Sequence, residues 1–137
     1  SPSMKDIMNK RVKFREEFRP FAPAVLFEHA SSYFDAKTEM PYMTVVAKVI
    51  EEKQKEIPSV VHVDGTARIQ TVKRADNPLF YKLINEFYNI TGVPLILNTS
   101  FNVKGEPIVN TPKEAYNCFM KTGIDIMYIG NYEFIKK

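Results

Sequence analysis

A chain of 137 residues is long enough to bury a core, and its 45% hydrophobic and 26% charged residues lie near the averages of folded globular proteins. A net charge of +3 is too small to demand a nucleic-acid partner, yet it does not repel a polyphosphate. The one cysteine, Cys118, excludes an intrachain disulfide and suits a reducing, cytoplasmic setting; no stretch approaches the roughly 20 apolar residues of a membrane helix, and none reads as a secretory leader.

Ser1-Pro2-Ser3 reads as the start of a short helix with Met4, Ile7, Met8 and Val12 at helical spacing and Lys10 and Arg11 toward its end. From Lys13 to Pro23 cations alternate with aromatics, and Pro20 and Pro23 forbid a continuing helix. This segment is expected to be looped or extended and to feed a strand over 24–27. Residues 28–34 read as one or two helical turns, 36–41 as a loop, 42–50 as a strand, and the charged run 51–56 as a solvated connection.

Residues 59–72 carry a hairpin pattern, with Asp64-Gly65 between two strand-like runs as the two-residue turn. That register pairs Val63 with Thr66, Val61 with Arg68 and Ser59 with Gln70. It puts Arg68 on one face with Thr66 and Gln70, while Val60, His62, Ala67 and Ile69 share the other.

Asn77-Pro78 opens a helix whose apolar stripe is Leu79, Phe80, Leu83, Ile84 and Phe87, and Gly92 ends it. A short buried strand over 94–97 then opens into Asn98, Thr99, Ser100 and Asn102, at the carboxyl end where open α/β sheets place ligands. Such side chains either tie a loop or hydrogen-bond a neutral part of a ligand. Residues 104–107 read as a turn and Ile108-Val109 as a brief strand. Thr111 to Glu114 form a capping box with Pro112 at the first helical position, starting a helix that buries Ala115, Phe119 and Met120. Residues 125–129 and 132–135 form a second hairpin around Gly130-Asn131. The order implies an α/β domain, of α+β type, with a mixed, twisted sheet and flanking helices.

Lys13, Arg15, Arg19 and Arg68 are about the inventory a triphosphate site needs, although such residues also make ordinary solvated faces. His29 and His62 lack metal-ligand spacing, and neither glycine-rich nucleotide loop is present. Ser100 has no base beside it in the sequence and reads as a hydrogen-bond donor rather than a nucleophile, and Asp64 reads as a turn residue.

Four stretches in this order, Lys13-Phe14-Arg15-Glu16, Phe18-Arg19-Pro20-Phe21-Ala22-Pro23, His62 to Gln70 and Asn98-Thr99-Ser100-Phe101-Asn102, resemble one family. It is the carboxyl-terminal domain of the nodulation and antibiotic-tailoring O-carbamoyltransferases, and the likeness runs on through Gly105-Glu106-Pro107-Ile108 and the Pro112 helix. The resemblance implies a YrdC-like fold that converts ATP and carbamoyl phosphate to carbamoyl-adenylate. An amino-terminal transferase module, which carries an iron, would pass the carbamoyl group to a hydroxyl acceptor. A Lys-x-Arg pair maps onto Lys13 and Arg15, a Ser-x-Asn element onto Ser100 and Asn102, and Asp-Gly-Thr-x-Arg onto Arg68. On that basis Lys13, Arg15 and Arg68 are candidate catalytic residues. Together with Arg19, Asn98, Thr99, Ser100 and Asn102 they are the candidate ATP and substrate contacts. Magnesium would accompany the triphosphate, and no metal is expected on this chain's own residues.

The resemblance also places a Gly-x-Arg-Ala-Leu-Gly-x-Arg-Ser segment and the transferase module ahead of such a domain. Residues 1–137 therefore read as a fragment truncated at its amino terminus, inactive in transfer alone, with an open sheet edge that favours a homodimer. Two other readings stand beside this one. A nucleic-acid-binding module would use the basic residues 10–19, and a scaffolding domain would have no activity of its own.

Overall fold

The computed structural model describes Ser1 and residues 3–136, so Pro2 of the expected helix start lies outside the described residues. Along the chain run α1 (Met4–Met8), a π-helical turn (Asn9–Lys13), β1 (Ala22–Leu26), α2 (Phe27–Tyr33), β2 (Val46–Lys48), α3 (Glu51–Gln54) and β3 (Thr66–Arg68). Then follow β4 (Gln70–Val72), α4 (Pro78–Thr91), β5 (Leu95–Asn98), α5 (Pro112–Lys121), β6 (Ile126–Ile129) and β7 (Tyr132–Ile135). They fall into two compact units, one made of Ser1 with Pro20–Thr99 and the other of Ser3–Arg19 with residues 100–136. None of the described helices is long and apolar enough to cross a membrane.

The first unit is built on β1, the middle strand of a mixed three-stranded sheet in the order β4-β1-β5. It runs parallel to β4, with Ala24 opposite Gln70, and antiparallel to β5, with Ala22 opposite Asn98. All five residues of β1 are buried, and full burial of Val25 and Leu26 contributes about 1.5–3 kcal/mol each. Pro23 has no N–H to give, and the pairing with β4 begins only at Ala24. The strand starts two residues ahead of the expected 24–27. In the 94–97 run, expected as a buried core strand, Pro94 and Leu95 are buried and Ile96 and Leu97 only half-buried, because β5 is an edge strand that β1 flanks on one side alone.

The two faces of this sheet have different cores. Ala24, Leu26, Val72 and Ile96 pack under α4 through Ile84, Phe80, Tyr81 and Tyr88. Val25 and Leu95 pack with Ala30, Phe34, Val49, Val60, Ala67 and Ile69. Asn77 caps α4 by accepting from the Phe80 amide at 3.1 Å, and Gly92 ends it at φ 73°. The expected stripe is only half right. A helix lying on one sheet buries one face, here Phe80, Tyr81, Ile84 and Tyr88, so Leu79, Leu83 and Phe87 remain exposed.

The expected 59–72 hairpin does not form. Thr66–Arg68 pairs instead with β2, placing Ala47 opposite Ala67, and 59–63 makes no strand. Residues 53–60 coil through successive turns, Ile57 N to Lys53 O and Val60 N to Ile57 O, and so bury Ile57 and Val60 in the core beneath β3. A turn forms at Asp64-Gly65, but not the expected two-residue one: Gly65 N donates to His62 O at 3.0 Å and His62 N to Thr66 O at 2.7 Å, so His62 rather than Val63 stands opposite Thr66, and of the two turn residues only Gly65 has positive φ, at 76°. Asp64 Oδ1 ties the turn by accepting from the amide and the hydroxyl of Thr66 at 3.1 and 2.7 Å. The alternation survives, with Ala67 and Ile69 buried and Arg68 exposed between Thr66 and Gln70. The strand expected over 42–50 shrinks to β2, and the 51–56 connection begins as helix α3.

In the second unit, α1 passes into the π-helical turn, which directs Asn9, Val12 and Lys13 inward. The Thr111 to Glu114 capping box is present in both its hydrogen bonds, and the final hairpin pairs Ile129 with Tyr132 across Gly130. α5 buries Ala115, Cys118 and Phe119. Met120, expected inside, faces out because the 115-118-119 spacing already fills the inner face. Ile108 and Val109 form no strand; Val109 N bonds only Phe101 O, at 3.0 Å. Gly123 approaches the π-helical turn closely: its amide donates to Arg11 O at 2.6 Å, and a Cβ there would stand 2.8 Å from that of Arg11.

Candidate functional site

The second unit spends a buried charge on its polar loop. The π-helical turn inserts a residue into the helical ladder, and Phe14 closes it in the left-handed conformation at φ 49°. The Lys13 stem thereby points inward, and the residue is only 5% exposed. Its ammonium donates to Ser100 O at 2.9 Å, Asn102 O at 2.8 Å and Asn102 Oδ1 at 2.6 Å, with Ser100 Oγ at 3.4 Å. These acceptors use every ammonium proton. Ser100 Oγ in turn donates to Asn102 Oδ1 at 2.7 Å, and Asn102 Nδ2 donates to Glu106 O at 2.9 Å. Burial lowers the pKa of Lys13, and the nearby Arg15 guanidinium lowers it further. The Lys-x-Arg and Ser-x-Asn elements thus meet, with Lys13 holding the loop rather than standing free above it.

Arg15 and Arg19 are arranged around Asn9, a fully buried amide that the sequence reading passed over. Arg15 Nε donates to Asn9 Oδ1 at 2.8 Å, and Asn9 Nδ2 donates to the carbonyls of Glu17 and Arg19 at 3.2 and 3.0 Å. One amide therefore shapes the whole 15–19 loop. A sequence signal for it existed, since asparagine is a poor interior residue of a helix. Arg19 Nη1 lies 3.8 Å from Glu16, whose carboxylate also meets Lys104 at 2.5 Å; that bond to Lys104 holds the Glu16 pKa low.

In the first unit Arg68 is exposed on the face it shares with Thr66 and Gln70, and forms no ion pair among the described residues. Asn98 ends β5 and donates through Nδ2 to Gln70 Oε1 at 2.8 Å, and Thr99 follows it half-buried. Gln70, expected on the Arg68 face, is drawn into the site by this bond. Its partnership with Asn98 crosses β1, which no local pattern reveals.

Among the described residues no group of three His, Cys, Asp or Glu side chains is placed to hold a metal ion. Hollows of about 280 Å³ beside Lys48 and Gln54 and about 230 Å³ beside Cys118 and Lys121 take in none of the candidate residues. Cys118 is buried, and burial pushes its thiol pKa up. In native protein its alkylation by iodoacetamide should be slow at roughly neutral pH and should become fast in urea. Above the ordinary thiol value the folded chain keeps a proton that the unfolded chain releases, so stability should fall as pH rises through that window. Urea midpoints of wild type and Cys118→Ala across that range measure the difference, and equal pH slopes would show that the thiol is not buried.

The class into which this mixed α/β chain falls is the one described as Carbamoyltransferase C-terminus, whose sequence pattern matches residues 1–136. This chain belongs to that family. It is 47% identical to nodulation protein NolNO of Sinorhizobium fredii, over 97% of this chain and 20% of that protein. It is 44% identical to nodulation protein NolO of Bradyrhizobium diazoefficiens, over 93% and 24%. An uncharacterized protein of Synechocystis, sll1178, is 41% identical over 98% and 25%. The chain thus spans a fifth to a quarter of the length of these relatives.

Proposed function

We propose that residues 1–137 form a YrdC-like domain that binds ATP and carbamoyl phosphate and makes carbamoyl-adenylate for a transferase module elsewhere in the full-length protein. Water cleaves carbamoyl phosphate to carbamate and phosphate; a carbamate oxygen then attacks the α-phosphorus of ATP, and pyrophosphate leaves with the bonding pair. Charge grows on the α-phosphoryl oxygens in that step, and fixed cations stabilise it more than they stabilise bound ATP. The observation that carries this reading is the four-point hold of Lys13 on Ser100 and Asn102, which keeps a positive charge beneath a loop of hydrogen-bonding groups. Arg15 and Arg19, on the loop that Asn9 shapes, are assigned to phosphate oxygens. Ser100 and Asn102 are assigned to hydrogen bonds with nucleotide, and Arg68, Asn98 and Thr99 to the acyl phosphate or the nucleotide.

Calorimetric titration of the chain with ATP, with and without carbamoyl phosphate, tests this. Wild type should bind saturably, and Arg15→Ala and Arg68→Ala should each weaken binding by about tenfold or more, the worth of a charge-assisted hydrogen bond. Binding that neither substitution changes would remove the assignment.

A further inference from the structure

The amide of Gln70 has no choice of direction. Its Nε2 lies 3.0 Å from the carbonyl of Pro41, which can only accept. That carbonyl is itself fixed, because Thr71 N donates to Met40 O at 2.9 Å and Met40 N donates to Thr71 Oγ1 at 2.8 Å. Gln70 must therefore turn Oε1 toward Asn98, and Asn98 must turn Nδ2 toward Gln70. What remains is Asn98 Oδ1, an acceptor at the end of β5 to which no described residue donates and which is not sealed from solvent.

We propose that Gln70 is a positioning residue that holds the Asn98 carboxamide with its oxygen outward, making Asn98 the acceptor for a conjugated NH₂ group of the substrate. This rests on the assignment of Asn98 to substrate contact above. Such an oxygen rewards an N–H donor and gives nothing to a methyl or a ring C–H in the same place. Both proposed substrates carry the matching chemistry, one in the carbamoyl amide and the other in the adenine 6-amino group.

The test compares two pairs of ligands that differ only there: carbamoyl phosphate against acetyl phosphate, and ATP against purine riboside triphosphate. Wild type should favour the NH₂ member of one pair by about fivefold to tenfold, the worth of one neutral hydrogen bond, and that pair names the group recognised. Gln70→Met, which keeps the stem and loses both polar atoms, should bring the preference below about twofold. Gln70→Glu can still accept from Asn98 Nδ2 and should keep the preference while weakening all four anions. Independently of any ligand, the Asn98 side-chain amide proton should show a hydrogen-bonded chemical shift in wild type that moves in Gln70→Met. An intact preference in folded Gln70→Met, no preference in wild type for either pair, or an unshifted Asn98 amide would each overturn the proposal. Wild type binding none of the four ligands would overturn the nucleotide reading with it, which separates the two failures.

Discussion

Lys13→Met should lower the stability of the chain by about 3 kcal/mol, because the methionine fills the volume of the stem and leaves the oxygens around Ser100 and Asn102 without their donor. In a protein of this size that is a fall in melting temperature of roughly 10 °C. An exposed lysine replaced in the same way changes stability by less than about 0.5 kcal/mol. Calorimetric melting therefore distinguishes a buried staple from a solvated charge. Lys13→Arg should rescue only part of the loss, since a planar fork does not reproduce the ammonium's convergent contacts with two residues. If the loop is the nucleotide platform, ATP affinity should fall in step with the melting temperature. A melting temperature equal to wild type would mean that the ammonium does not hold the loop in solution.

Phe119→Ala should cost about 3–5 kcal/mol. Phe119 is 2% exposed, the largest member of a core that otherwise relies on Ala115 and Met127 with flanking Phe101, Val109, Ile124, Ile129 and Phe134. It also lies under the Lys136 ammonium, 4.7 Å from the ring centre. The neighbouring Met120→Ala is the control, since Met120 is 53% exposed and should change stability by less than about 0.5 kcal/mol. Urea unfolding of the two variants side by side checks the contrast. Equal losses would restore the inner face expected from the sequence, with Met120 inside.

What the sequence made legible was local. Caps and turns whose partners lie within a few residues came through: Asn77 with Phe80, the Thr111 to Glu114 box and the Gly130 hairpin. The alternation across Thr66 to Gln70 also came through, since it follows from the strand period whatever the partner strand is. The partner itself did not. β3 takes β2 rather than the nearer 59–63 run, because Ile57 and Val60 are buried by coiling and leave no extended strand to pair.

The candidate site divides in the same way. Its residue types and motif order were readable, but their roles depend on distant partners. Nothing near Lys13 marks it as buried, because its acceptors arrive 87 and 89 residues later. Asn9 and Gln70 touch candidate residues through side-chain amides, a chemistry that leaves no periodic trace. The fourfold oxygen cage around Lys13, the Asn9 hub of the 15–19 loop and the Gln70–Asn98 pair are therefore structural facts that no sequence pattern announced.

The central place of β1 has a consequence for how the chain is made. Its paired positions are 24 with 70 and 22 with 98, so β1 has no sheet to join until β4 and β5 have followed it from the ribosome. Such long-range pairing slows folding, because distant segments must be brought together before their contacts repay the lost chain entropy. During that wait the apolar run from Phe21 to Leu26 is uncovered, which makes it the stretch a chaperone would hold during synthesis and the point from which misassembly would start.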